Sequence, residues 1–153
     1  MILTNEKLYG LLTEYRDKLL ERFPNKIERI ILYGSYARGT PHDDSDIDVM
    51  IVTAENGKYL SNGLISWKSS YDDDITILKC DLENLNASFV QTITITKNAF
   101  ALWSPLGESV HDDGIELWRN GQPPMQQYDL ESEESMKQRK LTIEDLMNKA
   151  EEN

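Results

Sequence analysis

The sequence predicts an α/β domain in which short apolar strands alternate with amphipathic helices. Apolar residues recur at helical spacing within residues 5–22, which predicts a first helix capped by Thr4 or Asn5. Two apolar runs, residues 27–33 and 46–53, have the length of buried strands. The 153 residues are enough for one compact domain with a substantial core.

In the middle of the chain, the composition and the spacing of apolar residues indicate three further elements. The spacing of large apolar residues predicts a second helix within residues 60–71, weakened by Gly63. Residues 74–80 have the β-branched composition of a third strand. In residues 89–103, Ile-Thr alternation favours a strand and the spacing of the larger residues favours a helix. We expect the helix, because a compact domain has short loops. Residues 115–118 predict a final short strand.

The sequence divides near residue 120. Residues 1–120 are expected to form the domain, and residues 121–153 a linker followed by a charged helical segment. This last segment has few apolar positions, so it is expected either to pack weakly on the domain or to dock a partner. It could equally be the beginning of a further domain.

The composition narrows the classes of partner. A formal net charge of −11 argues against direct binding to nucleic-acid phosphates and is compatible with a basic protein partner. The one cysteine, Cys80, excludes an internal disulfide. Because no apolar run approaches the ~20 residues that a membrane helix requires, we expect no membrane partner and a cytoplasmic location.

A Gly-Ser corner follows the first predicted strand. Gly34 breaks the apolar run, and a helical turn is able to start at Ser35. Such a corner presents backbone N–H groups and a hydroxyl, which together suit a polyphosphate. Arg38 follows one turn later and is able to neutralise phosphate charge, or to pair with Asp43 or Asp44 instead.

A pair of carboxylates opens the second predicted strand. Asp46 and Asp48 are two residues apart, so they share a face with Cα atoms about 6.6 Å apart. Two carboxylates at that spacing can share the divalent cations that accompany a nucleoside triphosphate. Burying them partly would be costly without a cation or donor.

These residues resemble a known family. Gly34-Ser35, then Ala37-Arg38-Gly39, then Asp46 and Asp48 are similar to the motif of the polymerase-β-like nucleotidyltransferase superfamily. Within it, the chain resembles the minimal nucleotidyltransferase (MNT) branch, which includes the antitoxin partners of HEPN ribonuclease toxins. The resemblance implies a small mixed β-sheet with flanking helices, two Mg²⁺ ions, ATP as the donor, and a third carboxylate on a later strand.

The resemblance also implies residue roles. Gly34, Ser35 and Arg38 would bind the nucleotide, and Asp46 and Asp48 would hold metal and act in catalysis. For the third metal-binding and catalytic carboxylate we select Asp74, which directly precedes the third predicted strand. Asp72 is the alternative, and a solvated turn is the other interpretation of this acidic run.

The leading functional expectation is Mg²⁺-dependent transfer of AMP from ATP to a hydroxyl of a protein. If the protein is an antitoxin, as the resemblance suggests, the acceptor is a tyrosine of its HEPN toxin. One alternative is nucleotidyl transfer to a small molecule such as an aminoglycoside, against which the short chain counts. The other is an acidic antitoxin that acts by binding alone.

Overall fold

The computed structural model describes residues 2–86, 88–102 and 114–122. Within these residues four helices and four strands alternate, and none of the helices has both the length and the apolar character needed to cross a bilayer. The helices are α1 (Asn5–Arg22), α2 (Gly34–Arg38), α3 (Asp72–Asn86) and α4 (Lys97–Ala101). The strands are β1 (Ile27–Tyr33), β2 (Ile47–Thr53), β3 (Val90–Thr96) and β4 (Ile115–Arg119).

The strands form one sheet in the order β3-β2-β1-β4. Strand β1 is antiparallel to both of its neighbours, and β2 is parallel to β3. A parallel pair requires a long crossover, and here α3 makes it. The expected α/β class, with a mixed sheet and flanking helices, is confirmed.

Helices α1 and α3 cover one face of the sheet. Helix α1 is capped by Thr4, whose side chain accepts a hydrogen bond from the Lys7 N–H at 3.2 Å. Its leucines and Tyr15 enter the larger core together with α3 residues Ile75 and Leu82. The opposite face carries a smaller cluster that includes Tyr33, Met50 and Phe100 of α4, here called the second face.

Arg29, on the second face, contacts both β4 and α4. Its guanidinium forms two hydrogen bonds of 2.8 Å with the Glu116 carboxylate of β4. The same guanidinium lies over the ring of Phe100, 5.1 Å from the centroid. These contacts join β1, β4 and α4, so the sheet edge and the short helix support each other.

The sequence correctly predicted α1, β1, β2 and β4, whereas three expectations in the middle are wrong. Residues 74–80 lie in α3 and not in a strand, and residues 90–96 form β3 and not a helix. Residues 60–71 form no helix; a Tyr59–Ile65 bridge and Gly63 at φ +84° bend this segment back on itself. The expected linker and C-terminal segment beyond residue 122 lie outside the described residues.

The two exchanged elements have a physical explanation. Ile75, Leu78 and Leu82 recur at helical spacing and face the larger core, which outweighs the strand preference of the β-branched residues between them. Three acidic residues in the first turn also favour a helix N-terminus. Strand β3 pairs with β2, and the second half of β3 is buried. This environment favours a strand for its alternating isoleucine and threonine residues.

Candidate active site

The β1–α2 junction is built around Gly34. Its φ of +77° lies in the left-handed region that side chains disfavour. A Cβ at this position would overlap the Asp48 carboxylate oxygen Oδ2 and lie 3.1 Å from its Cγ. Glycine is therefore required here for two reasons, the backbone conformation and the close approach of a carboxylate.

Strand pairing explains why the two motif halves meet. In the antiparallel β1–β2 pair, Tyr33 lies directly opposite Asp48, so the next residue, Gly34, starts α2 beside the carboxylate. Ser35 follows in the first turn of α2, and the N-cap residue Tyr33 makes no side-chain capping hydrogen bond. The first turn of α2, whose amides have no intrahelical acceptor, consequently lies at the same end of the sheet as Asp48.

Asp46, Asp48 and Arg38 interact electrostatically. Asp48 is half-buried, whereas Asp46 and Arg38 are exposed. Burial raises the pKa of the Asp48 carboxyl, the charge of Asp46 raises it further, and Arg38 acts in the opposite direction. Burial and the nearby Asp48 also raise the pKa of Tyr33 to about 12. The three effects together leave the pKa of Asp48 raised, and a bound cation would act on it in the same direction as Arg38.

Asp74 is not brought to this site. It lies in the first turn of α3, and the N–H of Asp72 in that turn donates to the Ser69 carbonyl at 3.3 Å. Ser69 donates in turn to Glu55, just beyond the end of β2. Since β2 runs from Asp48 toward Glu55 for roughly 16 Å, the acidic run is at the opposite end of the sheet. The expectation that Asp74 directly precedes a strand is wrong, because Asp74 lies in α3, and Asp72 shares its location.

The strand next to Asp48 carries Gln91 at the matching position. In the parallel β2–β3 pair, Asp48 and Gln91 are register partners, so their side chains share the second face. The row across the sheet is therefore Tyr33, Asp48 and Gln91. Sequence reasoning missed Gln91 because its place depends on a pairing between strands that are far apart in the chain.

A cleft of about 470 Å³ opens beside Asp46, which lines it, whereas Asp48 is not part of its lining. The acidic loop, residues 43–46, forms one wall, and Leu3, Tyr36 and Phe89 contribute apolar surface. Phe89 is 76% exposed although it is a large aromatic residue. The cleft thus combines negative charge with an open aromatic surface.

The donor set at this edge fits one Mg²⁺ ion. Such an ion is commonly held by one or two carboxylates together with substrate phosphates, and Asp46 and Asp48 supply two. Among the described residues no group of three His, Cys, Asp or Glu side chains could hold a metal. The expectation of two ions depended on a third carboxylate, and the structure does not place one here.

The mixed sheet, the glycine corner and the paired aspartates together define a nucleotide-transferring class of domain. The chain belongs to the nucleotidyltransferase domain family, whose model matches residues 12–101. This match runs from the middle of α1 to the end of α4 and includes the glycine corner and both aspartates. The family predicted from the motif is confirmed.

Relatives of the chain are named for protein adenylyl transfer. The protein adenylyltransferase MntA of Thermococcus cleftensis is 38% identical over 50 residues, which cover 33% of this chain and 48% of that protein. A Methanocaldococcus jannaschii protein, also named as a protein adenylyltransferase, is 31% identical over 84 residues. These residues cover 55% of this chain and 92% of that protein. The chain spans about half, or less, of the length of several such relatives.

Solved structures also resemble the chain. One is a complex of a tri-AMPylated Shewanella oneidensis HEPN toxin with its MNT antitoxin. It is 23% identical, covers 91% of this chain and 98% of that chain, and gives a TM-score of 0.44.

Proposed function

We propose that this protein transfers AMP from ATP, with Mg²⁺, to a hydroxyl of a protein acceptor. Within this proposal the acceptor is a tyrosine of a HEPN ribonuclease toxin, and the modification silences the toxin. The observation that carries the proposal is the contact between Gly34 and Asp48, which joins a phosphate-binding turn to a metal-binding carboxylate.

Each residue of the site has a distinct task in this proposal. Ser35 and the first amides of α2 bind the β- and γ-phosphates. Arg38, exposed near Asp48, neutralises charge that develops on the leaving pyrophosphate. Asp46 and Asp48 hold Mg²⁺, which when bound would orient the triphosphate and polarise its α-phosphorus.

The transfer itself is an in-line displacement. The acceptor oxygen forms a bond to the α-phosphorus, the bond from that phosphorus to the bridging oxygen breaks, and pyrophosphate leaves. The acceptor's proton passes to solvent or to a nearby carboxylate. The chain's own contribution is to position the reactants and stabilise charge, which are the main sources of catalysis in phosphoryl transfer.

The acceptor follows from the motif resemblance to MNT antitoxins and from the names of the relatives. Two properties of the chain are consistent with it. The net charge of −11 favours a basic protein surface over nucleic acid. The cleft beside Asp46 has an acidic wall and an open aromatic surface, which suits a tyrosine flanked by basic residues.

A second candidate function is silencing of the toxin by binding alone. The observation that favours it is the neutral Gln91 beside Asp48, at the place where a further anionic ligand would lie. In that case the chain binds the toxin and the nucleotide, but transfers AMP slowly or not at all.

The test combines the protein, Mg²⁺ and ATP labelled at the α-phosphate with a candidate HEPN toxin as the acceptor. Label on the wild-type acceptor, and none on an acceptor whose tyrosine is replaced by phenylalanine, supports transfer. A stable complex that remains unlabelled with fully folded protein supports binding alone and contradicts transfer. Asp48→Asn is the catalytic control, and Glu21→Gln on the exposed side of α1 is the matched charge control.

A further inference from the structure

Gln91 is placed to set the number of cations at the site. Its strand is hydrogen-bonded to β2 in parallel, and Gln91 is the register partner of Asp48. Neighbouring strands are about 4.8 Å apart, so Gln91 lies directly beside Asp48. No residue of the described chain is nearer to Asp48 across the β2–β3 pair.

The side chain of Gln91 is available to the site. It is exposed, whereas Asp48 is half-buried. No hydrogen bond or ion pair within the described ranges engages the Gln91 carboxamide. The rest of β3 offers no acidic alternative, since its sequence is Val-Gln-Thr-Ile-Thr-Ile-Thr.

The amide changes the charge of the site. An aspartate at residue 91 would bring the number of carboxylates to three and let a second divalent cation bind between residues 48 and 91. A carboxamide oxygen is a neutral ligand, and the amide nitrogen repels a cation. The site then has two carboxylates, of which Asp46 is exposed and weakened by solvent.

We propose that Gln91 restricts this site to a single divalent cation, which binds in complex with the nucleoside triphosphate and not to the free protein. This inference rests on the proposed function for its nucleotide, but not for its acceptor. Its consequence is that the acceptor hydroxyl is activated without a cation of its own, so transfer is slow and the nucleotide-bound state is long-lived.

The experiment counts bound Mn²⁺ by electron paramagnetic resonance, with and without α,β-methylene-ATP, whose α–β linkage is not cleaved by transfer. Wild type is expected to bind roughly one equivalent with the analogue and to bind only weakly without it. Gln91→Asp is expected to bind roughly two with the analogue and to gain about tenfold or more in affinity without it.

Two controls separate ligand geometry from charge. Gln91→Asn keeps a neutral amide and should behave like wild type. Asn62→Asp adds the same charge at an exposed residue, where the new Oδ1 can still accept from the Leu64 N–H as that of Asn62 does at 3.0 Å. It should leave Mn²⁺ binding unchanged.

A thermal readout covers the case in which added charge weakens the fold. Gln91→Asp places two carboxylates side by side, so its Tm without metal should be lower than that of wild type, and Mn²⁺ should restore it. Gln91→Glu provides a second acidic variant with a longer reach.

Wild type that binds two equivalents with the analogue overturns the inference, as does a folded Gln91→Asp protein whose count and affinity are unchanged. These counts do not depend on the toxin. A failed acceptor assay therefore contradicts the proposed transfer and leaves the single-cation inference in place. A contradictory Mn²⁺ count overturns the single-cation inference and leaves the proposed transfer in place.

Discussion

Gly34 and the carboxylate of Asp48 are in such close contact that no side chain fits between them. An added Cβ would overlap Oδ2 and lie 3.1 Å from Cγ. The contact joins the end of β1 to the start of β2, so the glycine turn and the aspartate cannot change position independently.

Gly34→Ala should therefore damage both fold and site. Strain at a positive φ costs about 1–2 kcal/mol, and Asp48 must also move. We expect a lower Tm and a clear loss of ATP-analogue affinity, measured by thermal unfolding and calorimetric titration. Gly10→Ala is the matched control, because nothing lies within 4 Å of its added Cβ and it is within α1. It should raise stability by about 0.5–1 kcal/mol and leave binding unchanged. Equal affinity in the two variants would remove the role given to Gly34.

Asp48→Asn should abolish AMP transfer without unfolding the protein. Because burial and Asp46 raise the pKa of Asp48, its ionised form destabilises the fold, and stability falls as pH rises through the raised pKa. The neutral variant lacks this penalty, so its Tm at pH 7 should equal or exceed that of wild type. Transfer is measured with labelled ATP, and Asp81→Asn on the exposed side of α3 is the control. Normal turnover by the folded Asp48→Asn protein would contradict the assigned site.

Asp74→Asn should leave transfer within about twofold of wild type, as should Asp73→Asn, because neither residue is at the Asp48 end of the sheet. Both changes remove a charge from the first turn of α3, where acidic groups stabilise by about 0.3–1 kcal/mol. A small drop in Tm with unchanged turnover is the expected pair of results. A large and selective loss of turnover in Asp74→Asn would restore it as a catalytic group.

Glu55 should make stability depend on pH. Burial alone would raise its pKa, but hydrogen bonds from Ser69, Ser70 and Thr53 outweigh burial and lower the pKa below its ordinary 4.5. The ionised carboxylate thus stabilises the fold above about pH 4.5, and this contribution is lost as pH falls through the lowered value. Glu55→Gln should have a lower Tm than wild type at pH 7, and this difference in Tm should disappear in acid. The control Glu21→Gln should show no such pH-dependent difference. A Tm difference that is the same at both pH values would contradict this linkage.

The sequence predicted the parts of the fold that depend on local patterns. Helix α1 has a clear apolar stripe and a capping threonine, and β1 and β2 are short apolar runs beside a recognisable motif. The motif also identified Gly34, Asp46 and Asp48 as neighbours. In each case the signal lies within a few residues of the feature that it predicts.

The remainder depended on contacts between distant segments. Residues 75–78 carry strand-forming side chains, yet Leu78 and Leu82 give them a helical face that packs on the larger core. Gln91 has no motif of its own. Its importance comes entirely from the register that pairs it with Asp48. Propensity is a weak guide where tertiary packing decides the outcome.

The β1–β2 pairing has a consequence for the loop between Thr40 and Ser45. Strand register, and not this loop, fixes Gly34 beside Asp48, and the loop is closed by its own His42–Ser45 hydrogen bonds. Its length is therefore free to vary, and a reporter peptide inserted between Thr40 and Pro41 would leave both halves of the site in place. A shift of β2 by one residue would do the opposite, since it would turn Asp48 toward α1 and α3 and bring Val49 to the nucleotide.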